Sequence, residues 1–174
     1  MTQERTGVIT MKGNPKTLIG PALKPGDKAP DFECVNQALE TVTLASSKGK
    51  VRLISAVPSL DTPVCDKETK RFGEELARLP PSIQFYTVSA DLPFAQKRWC
   101  GAANLQVPTL SDHRTLSFAE HYGVLIKDLR ILARAIFVVD ASDKITYVEL
   151  VPEIASEPDY DKALAAAKQA AGSH

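Results

Sequence analysis

The sequence predicts an α/β fold: a thioredoxin-like mixed central sheet flanked by helices, with an N-terminal β-hairpin. Three observations carry that expectation. Two apolar, β-branched runs, "VRLISAVPS" and "IQFYTVSA", are separated by a stretch with helical spacing. A later run, "ARAIFVVDASDKITYVELV", contains its own Asp, Ser, Asp and Lys turn and reads as an antiparallel pair. The closing "DYDKALAAAKQAA" is Ala-rich, with Tyr160, Leu164, Ala167 and Ala171 on one side of a helix.

Taken in order, "GVITMKGNPKTLIG" reads as two short strands around a Gly-Asn-Pro turn. The following "ALKPGDKAPDFECVN" is loop-rich, and "VRLISAVPS" is a buried strand. A helix is expected from Pro63 to about Leu79, because Phe72, Leu76 and Leu79 keep helical spacing. After "LPPS" and the strand "IQFYTVSA" comes a short helix in "LPFAQKRWCGAANL", with Pro93 in its first turn and Gly101 at its end. "TLSFAEHYGV" supplies another short helix. Strand–helix–strand followed by an antiparallel pair and a final helix is the thioredoxin-like order.

The chain of 174 residues suits one domain over 1–174, with about residues 1–20 as the hairpin extension. The 21 basic and 21 acidic residues cancel, so no electrostatic footprint for nucleic acid or an anionic membrane is present. "MTQERTGVITMKG" lacks the apolar core of a signal peptide, and "ILARAIFVV" is too short to span a bilayer and is broken by Arg134. A cytoplasmic location without membrane partners is therefore expected. Cys34, Cys65 and Cys100 form no CxxC and lie far apart, so neither a metal site nor a bound cofactor is expected.

The informative cysteine is Cys65. Asp61 or Thr62 is a natural N-cap and Pro63 fits the first helical position. With Thr62 as cap, Cys65 falls in the first turn, where unpaired N–H groups and the helix dipole favour an anion. That position lowers a thiol's pKa, whereas Asp61, Asp66 and Glu68 nearby would raise it. A cation from elsewhere would decide the contest, and Arg134 is the best candidate. It alternates along its own strand face with Leu132, Ile136 and Val138, where an unpaired guanidinium is costly. The other reading is an arginine at a strand end reaching solvent.

For Cys65 and Cys100 alike, simple burial competes with a reactive role; Cys100 could be a partner thiol for Cys65. Cys34 reads as structural or incidental. "GNPKTLIG" lacks Walker A spacing. His113 and His121 could serve a cysteine hydrolase but read as surface or helix-face residues. Trp99 and Phe94 read as core, with a docking surface as the alternative.

"PSLDTPVC" carries the Pro-x-x-x-Thr-x-x-Cys motif and resembles the active site of peroxiredoxins. "DLPFAQKRWCGA", "LSDHRTLSFAEHYGV" and "LARAIFVVD" are similar to the bacterial thiol peroxidase branch, whose members are atypical two-cysteine peroxiredoxins. The resemblance runs from the hairpin to the last helix. It implies that Cys65 is the peroxidatic cysteine and Cys100 the resolving one. It further implies that Thr62 hydrogen-bonds thiolate and peroxide, Pro58 shields the sulfur from water and Arg134 stabilises the thiolate and peroxide oxygens. The implied partners are a hydroperoxide, thioredoxin as reductant and a second copy in a homodimer.

Because a disulfide needs its Cα atoms within about 7 Å, the segments bearing Cys65 and Cys100 are expected to unwind or move between the two steps. A redox sensor using the same cysteine pair is the alternative from another class. A cysteine hydrolase ranks last, because no glycine-rich elbow accompanies Cys65.

Overall fold

The computed structural model describes residues 3–172, so residues 1 and 2 of the expected hairpin extension lie outside it. The chain runs β1 (Glu4–Met11), β2 (Asn14–Ile19), β3 (Glu33–Val35), β4 (Thr41–Thr43), a 3-10 turn (Leu44–Ser47), β5 (Val51–Ala56) and α1 (Pro63–Leu76). It continues through β6 (Ile83–Ser89), α2 (Pro93–Ala103), β7 (Thr109–Ser111), α3 (Ser117–His121) and β8 (Leu125–Ile126). β9 (Ala135–Val139), β10 (Ile145–Leu150) and α4 (Tyr160–Gly172) complete it. The main sheet has the order β10-β9-β5-β6-β7-β3-β4, and β1, β2 and β8 form a separate small sheet.

The β5-α1-β6-α2-β7 segment makes the parallel centre, and β9 pairs antiparallel with β5. All six residues of β5, Arg52 and Ser55 included, are buried, as a strand between two covered faces requires. One core face gathers Leu53, Phe72, Phe85, Ile136, Val138 and Leu164 beneath α1 and α4. The opposite face gathers Ile54, Phe118, Tyr122, Phe137 and the hairpin residues Ile9 and Leu18. The thioredoxin-like mixed sheet and the N-terminal strand pair expected from the sequence are both present.

Several boundaries differ. The β1–β2 turn is Lys12-Gly13, both at positive φ (51° and 81°), rather than Gly-Asn-Pro. That is the geometry of a two-residue type I′ hairpin, and Gly13 meets its demand without a Cβ penalty. Pro15 instead sits in β2 opposite Thr10 and is tolerated because β2 meets β8 only at Leu18 and Ile19. α1 stops at Leu76, short of Leu79, since the chain must turn before Pro80 and Pro81. α2 passes through Gly101 and ends at Ala103, because Asn104 takes the left-handed cap and the Leu105 N–H closes on the Cys100 carbonyl at 3.0 Å. The "loop-rich" segment hides β3 in its last residues, a strand too short for an alternating pattern to register.

Candidate active site

β5 leaves the core at Ala56, and Val57–Thr62 lead into α1. Asp91, just beyond β6, fixes this loop: its carboxylate accepts the Ser59 hydroxyl (2.7 Å), the Leu60 N–H (2.8 Å) and the Ser89 hydroxyl (2.8 Å). Pro58 is buried within the loop. Thr62 takes the cap position in extended backbone (φ −120°), with Pro63 following as the first helical residue. Its hydroxyl makes no cap bond; it donates to the Ser59 carbonyl at 2.9 Å. Cys65 is then the third residue of α1 and is fully buried with Val57, Leu60 and, on its rim, Trp99.

Arg134 immediately precedes β9, whose Ala135 pairs with Ala56 at the end of β5. Sheet register thus delivers the guanidinium to the start of α1. It does not reach solvent: the residue is 2% exposed and all of its hydrogen bonds are internal. Nε donates to the Ile154 carbonyl (2.9 Å), Nη1 pairs with the Glu68 carboxylate and Nη2 lies 3.2 Å from the Cys65 sulfur. Burial works against its charge, but Glu68 and Cys65 outweigh burial and hold the guanidinium protonated. Ile136 and Val138 share its face of the sheet as expected, whereas Leu132 turns into the opposite core.

Glu68 is the residue whose role the sequence showed only in part. It is fully buried beside Arg134 and accepts the Ser55 hydroxyl at 3.1 Å, so it is the guanidinium's ionic partner as well as a negative charge near the thiol. The signal was available, because Cys65, Glu68, Thr69 and Phe72 keep i, i+3, i+4, i+7 spacing along the buried face of α1.

Cys100 lies in α2, buried, with its sulfur 3.4 Å from the Gln37 amide nitrogen. Gln37 also donates to the Thr109 hydroxyl at 2.7 Å. The thiol faces a cavity of about 590 Å³ lined by Gln37, Tyr86, Leu105 and Val107. Trp99, one residue earlier, points to the other sulfur: it packs on the Cys65 cluster and donates its indole N–H to Asp66 at 2.9 Å. α2 therefore meets the first turn of α1 through Trp99, and all three cysteines carry free thiols. Phe94 is not core, contrary to the sequence reading; it is 68% exposed beside Leu92, which is 52% exposed.

The chain has relatives. Residues 24–164 match the Redoxin family. The thiol peroxidase of Halalkalibacterium halodurans is 60% identical over 163 residues, covering 93% of this chain and 98% of the relative. The thiol peroxidase of Bacillus subtilis is 54% identical over 161 residues, covering 92% and 96%. A crystal structure of a peroxiredoxin-like protein from Aquifex aeolicus superposes with a TM-score of 0.88 at 46% identity, covering 97% and 98%. The chain belongs to the thiol peroxidases of the Redoxin family.

The remaining candidates of this redoxin lie elsewhere. Cys34 is fully buried in β3 with its sulfur 3.5 Å from the Asp112 carboxylate; burial first, and then that charge, push the thiol up. His113 shares a hydrogen bond with the Ser111 hydroxyl (2.8 Å) and His121 one with the Asp31 carbonyl (2.7 Å). Neither histidine is bonded to Cys65. Among the described residues no cluster of three or more His, Cys, Asp or Glu could hold a metal ion. Among them, too, no helix is long and apolar enough to cross a membrane.

Proposed function

We propose that this thioredoxin-fold chain, hairpin included, is a single-domain cytoplasmic thiol peroxidase that reduces hydrogen peroxide and organic hydroperoxides. The observation that carries the reading is the Cys65 sulfur, fully buried in the first turn of α1, with the Arg134 Nη2 3.2 Å away. Cation and helix terminus both favour a thiolate, the form that attacks peroxide. The thiolate bonds to the terminal peroxide oxygen, the O–O bond breaks and the departing alkoxide or hydroxide takes up a proton. Cys65 is left as a sulfenic acid. Arg134 opposes the charge that develops on both oxygens, Thr62 presents a hydroxyl at the same helix start, and Pro58 keeps water from the sulfur.

Cys100 then attacks the sulfenic sulfur as a thiolate, the S–O bond breaks, the departing hydroxide takes up a proton to become water, and a Cys65–Cys100 disulfide forms. An external dithiol, thioredoxin in this reading, regenerates both thiols by exchange. The two sulfurs occupy different surroundings, with Arg134 beside one and Gln37 beside the other. That separation supports unwinding or movement of the α1 and α2 segments that bear Cys65 and Cys100 between the steps. The exposed Leu92 and Phe94 pair at the start of α2 supports self-association into a homodimer.

Non-reducing peptide mapping after one equivalent of organic hydroperoxide tests the cycle. A Cys65–Cys100 linkage is expected, and Cys65→Ser should abolish turnover. Full activity in Cys65→Ser would overturn the reading, and oxidation confined to Cys65 would remove Cys100 from it.

A further inference from the structure

One guanidinium serves two acidic groups in this site, and both are buried. Arg134 reaches Cys65 through Nη2 and Glu68 through Nη1. If both acids ionised, the dry pocket would hold two negative charges against one positive, which burial penalises. We propose that Glu68 and Cys65 compete for the charge of Arg134, so that one proton is divided between carboxyl and thiol and Glu68 sets how much of Cys65 is thiolate. The inference rests on the proposed peroxide chemistry at Cys65 and makes Glu68 a positioning residue for it.

The surroundings of Glu68 support the competition. From β5, the Ser55 hydroxyl donates to its Oε1 at 3.1 Å and favours the ionised carboxylate. From β10, Glu149 adds negative charge that opposes it, and from α4 the Tyr160 phenol lies within the same electrostatic neighbourhood. Glu157 acts on Arg134 from the preceding loop and is itself paired with Lys67 at 3.2 Å. Burial is the largest influence and pushes the Glu68 carboxyl up to about 7, against the pull of Arg134 and Ser55. Groups coupled in this way lose their protons in steps that belong to the pair. Replacing the carboxylate with an amide keeps an oxygen for Arg134 and removes the second negative charge.

The test is the rate of Cys65 alkylation by iodoacetamide in the fully reduced protein, mapped by peptide mass spectrometry from about pH 5 to about pH 9. Peroxide oxidation is followed in parallel through the fluorescence of Trp99, the single tryptophan of the chain. The parent should show two titration steps in Cys65 reactivity. Glu68→Gln should show one, with alkylation about threefold to tenfold faster near pH 8, where the parent's Glu68 is ionised, and little change near pH 6. Ser55→Ala, which withdraws support from the ionised carboxylate, should shift the profile in the same direction by less.

An alkylation profile of the same shape in parent and Glu68→Gln, whether at the same rate or uniformly slower, would overturn the inference. It would leave Glu68 as a buttress only. Two steps collapsing to one in a protein that fails to reduce peroxide would support the charge competition and sink the peroxidase reading.

Discussion

Cys65 and Cys34 are the same residue at the same burial, neither with measurable exposure, yet they sit in opposite fields. The sulfur of Cys65 faces the Arg134 guanidinium at 3.2 Å; that of Cys34 faces the Asp112 carboxylate at 3.5 Å. Asp112 also accepts the Phe118 and Ala119 N–H groups (3.1 and 2.8 Å), so it is committed to holding the start of α3. Its own carboxyl is pushed up by burial, and those N–H groups pull the other way. Cys34 therefore donates its S–H to a structural carboxylate and remains a small packing residue. Burial does not by itself make a cysteine inert or reactive; the sign of the neighbouring charge does.

The largest test of this contrast changes the cation. Arg134→Lys retains a positive charge, but a compact ammonium cannot reach Glu68, Cys65 and the Ile154 carbonyl together as a planar fork does. The rate of Cys65 oxidation by hydroperoxide in stopped flow should fall by about a hundredfold, the scale seen when one aimed donor is lost from a charge-stabilising site. Arg134→Met should fall further and also destabilise the fold by about 3–5 kcal/mol, because it leaves Glu68 buried without its ionic partner. An Arg134→Lys rate within about threefold of the parent would show that charge alone suffices and that the fork is not needed.

How much of this was legible in the sequence follows from the same residues. The strand–helix–strand centre could be read because β5 and β6 are long apolar runs. The cap geometry could be read because Thr62-Pro63 is a local signal. Arg134 was legible as an apolar-face arginine in need of a partner. Its partner was not, since the contact joins residues 66 positions apart through the register of β9 on β5. Glu68 was legible as an adverse charge near Cys65, but its second role, as the ionic partner of Arg134, was not. Asp91 and Gln37 carried no signal at all, because each acts through a fold contact with a distant loop or strand. The short strands β3, β4, β7 and β8, of two or three residues, are defined by their pairing partners and leave almost no periodicity behind.

A second test sharpens the contrast from its inert side. Cys34→Ala removes one sulfur from a packed site while Asp112 keeps both of its backbone donors. Stability should drop by about 1 kcal/mol, read as a shift in the denaturant midpoint, and the rate of peroxide turnover should stay within about twofold of the parent. A turnover loss of more than about tenfold, with Cys65 still alkylated at the parental rate, would mean that Cys34 takes part in the chemistry alongside Cys65 and Cys100 and that Cys34 and Cys65 are not opposites.

The smallest effect concerns what holds the guanidinium from behind. Arg134 Nε leans on the Ile154 carbonyl, and the Ile154 N–H donates to the Thr10 carbonyl of β1 at 2.9 Å. Glu153 secures the same contact: it accepts the Ala155 N–H (2.8 Å), the Gly13 N–H (2.9 Å) and the Thr10 hydroxyl (3.0 Å). The Ala155 and Gly13 N–H bonds are the main cause that holds its carboxyl down at about 2, below the ordinary 4.5. A carboxyl depressed in the folded state supports the contact fully above its unfolded value and loses that support as pH falls from there through the folded one. Hairpin attachment should therefore weaken between about pH 4.5 and pH 2. Amide exchange at Thr10 and Ile154, referenced to the central Val138, reads this directly. The parent should lose protection across that window, whereas Glu153→Gln should begin less protected and change little. An identical loss in Glu153→Gln would assign the acid sensitivity to another group.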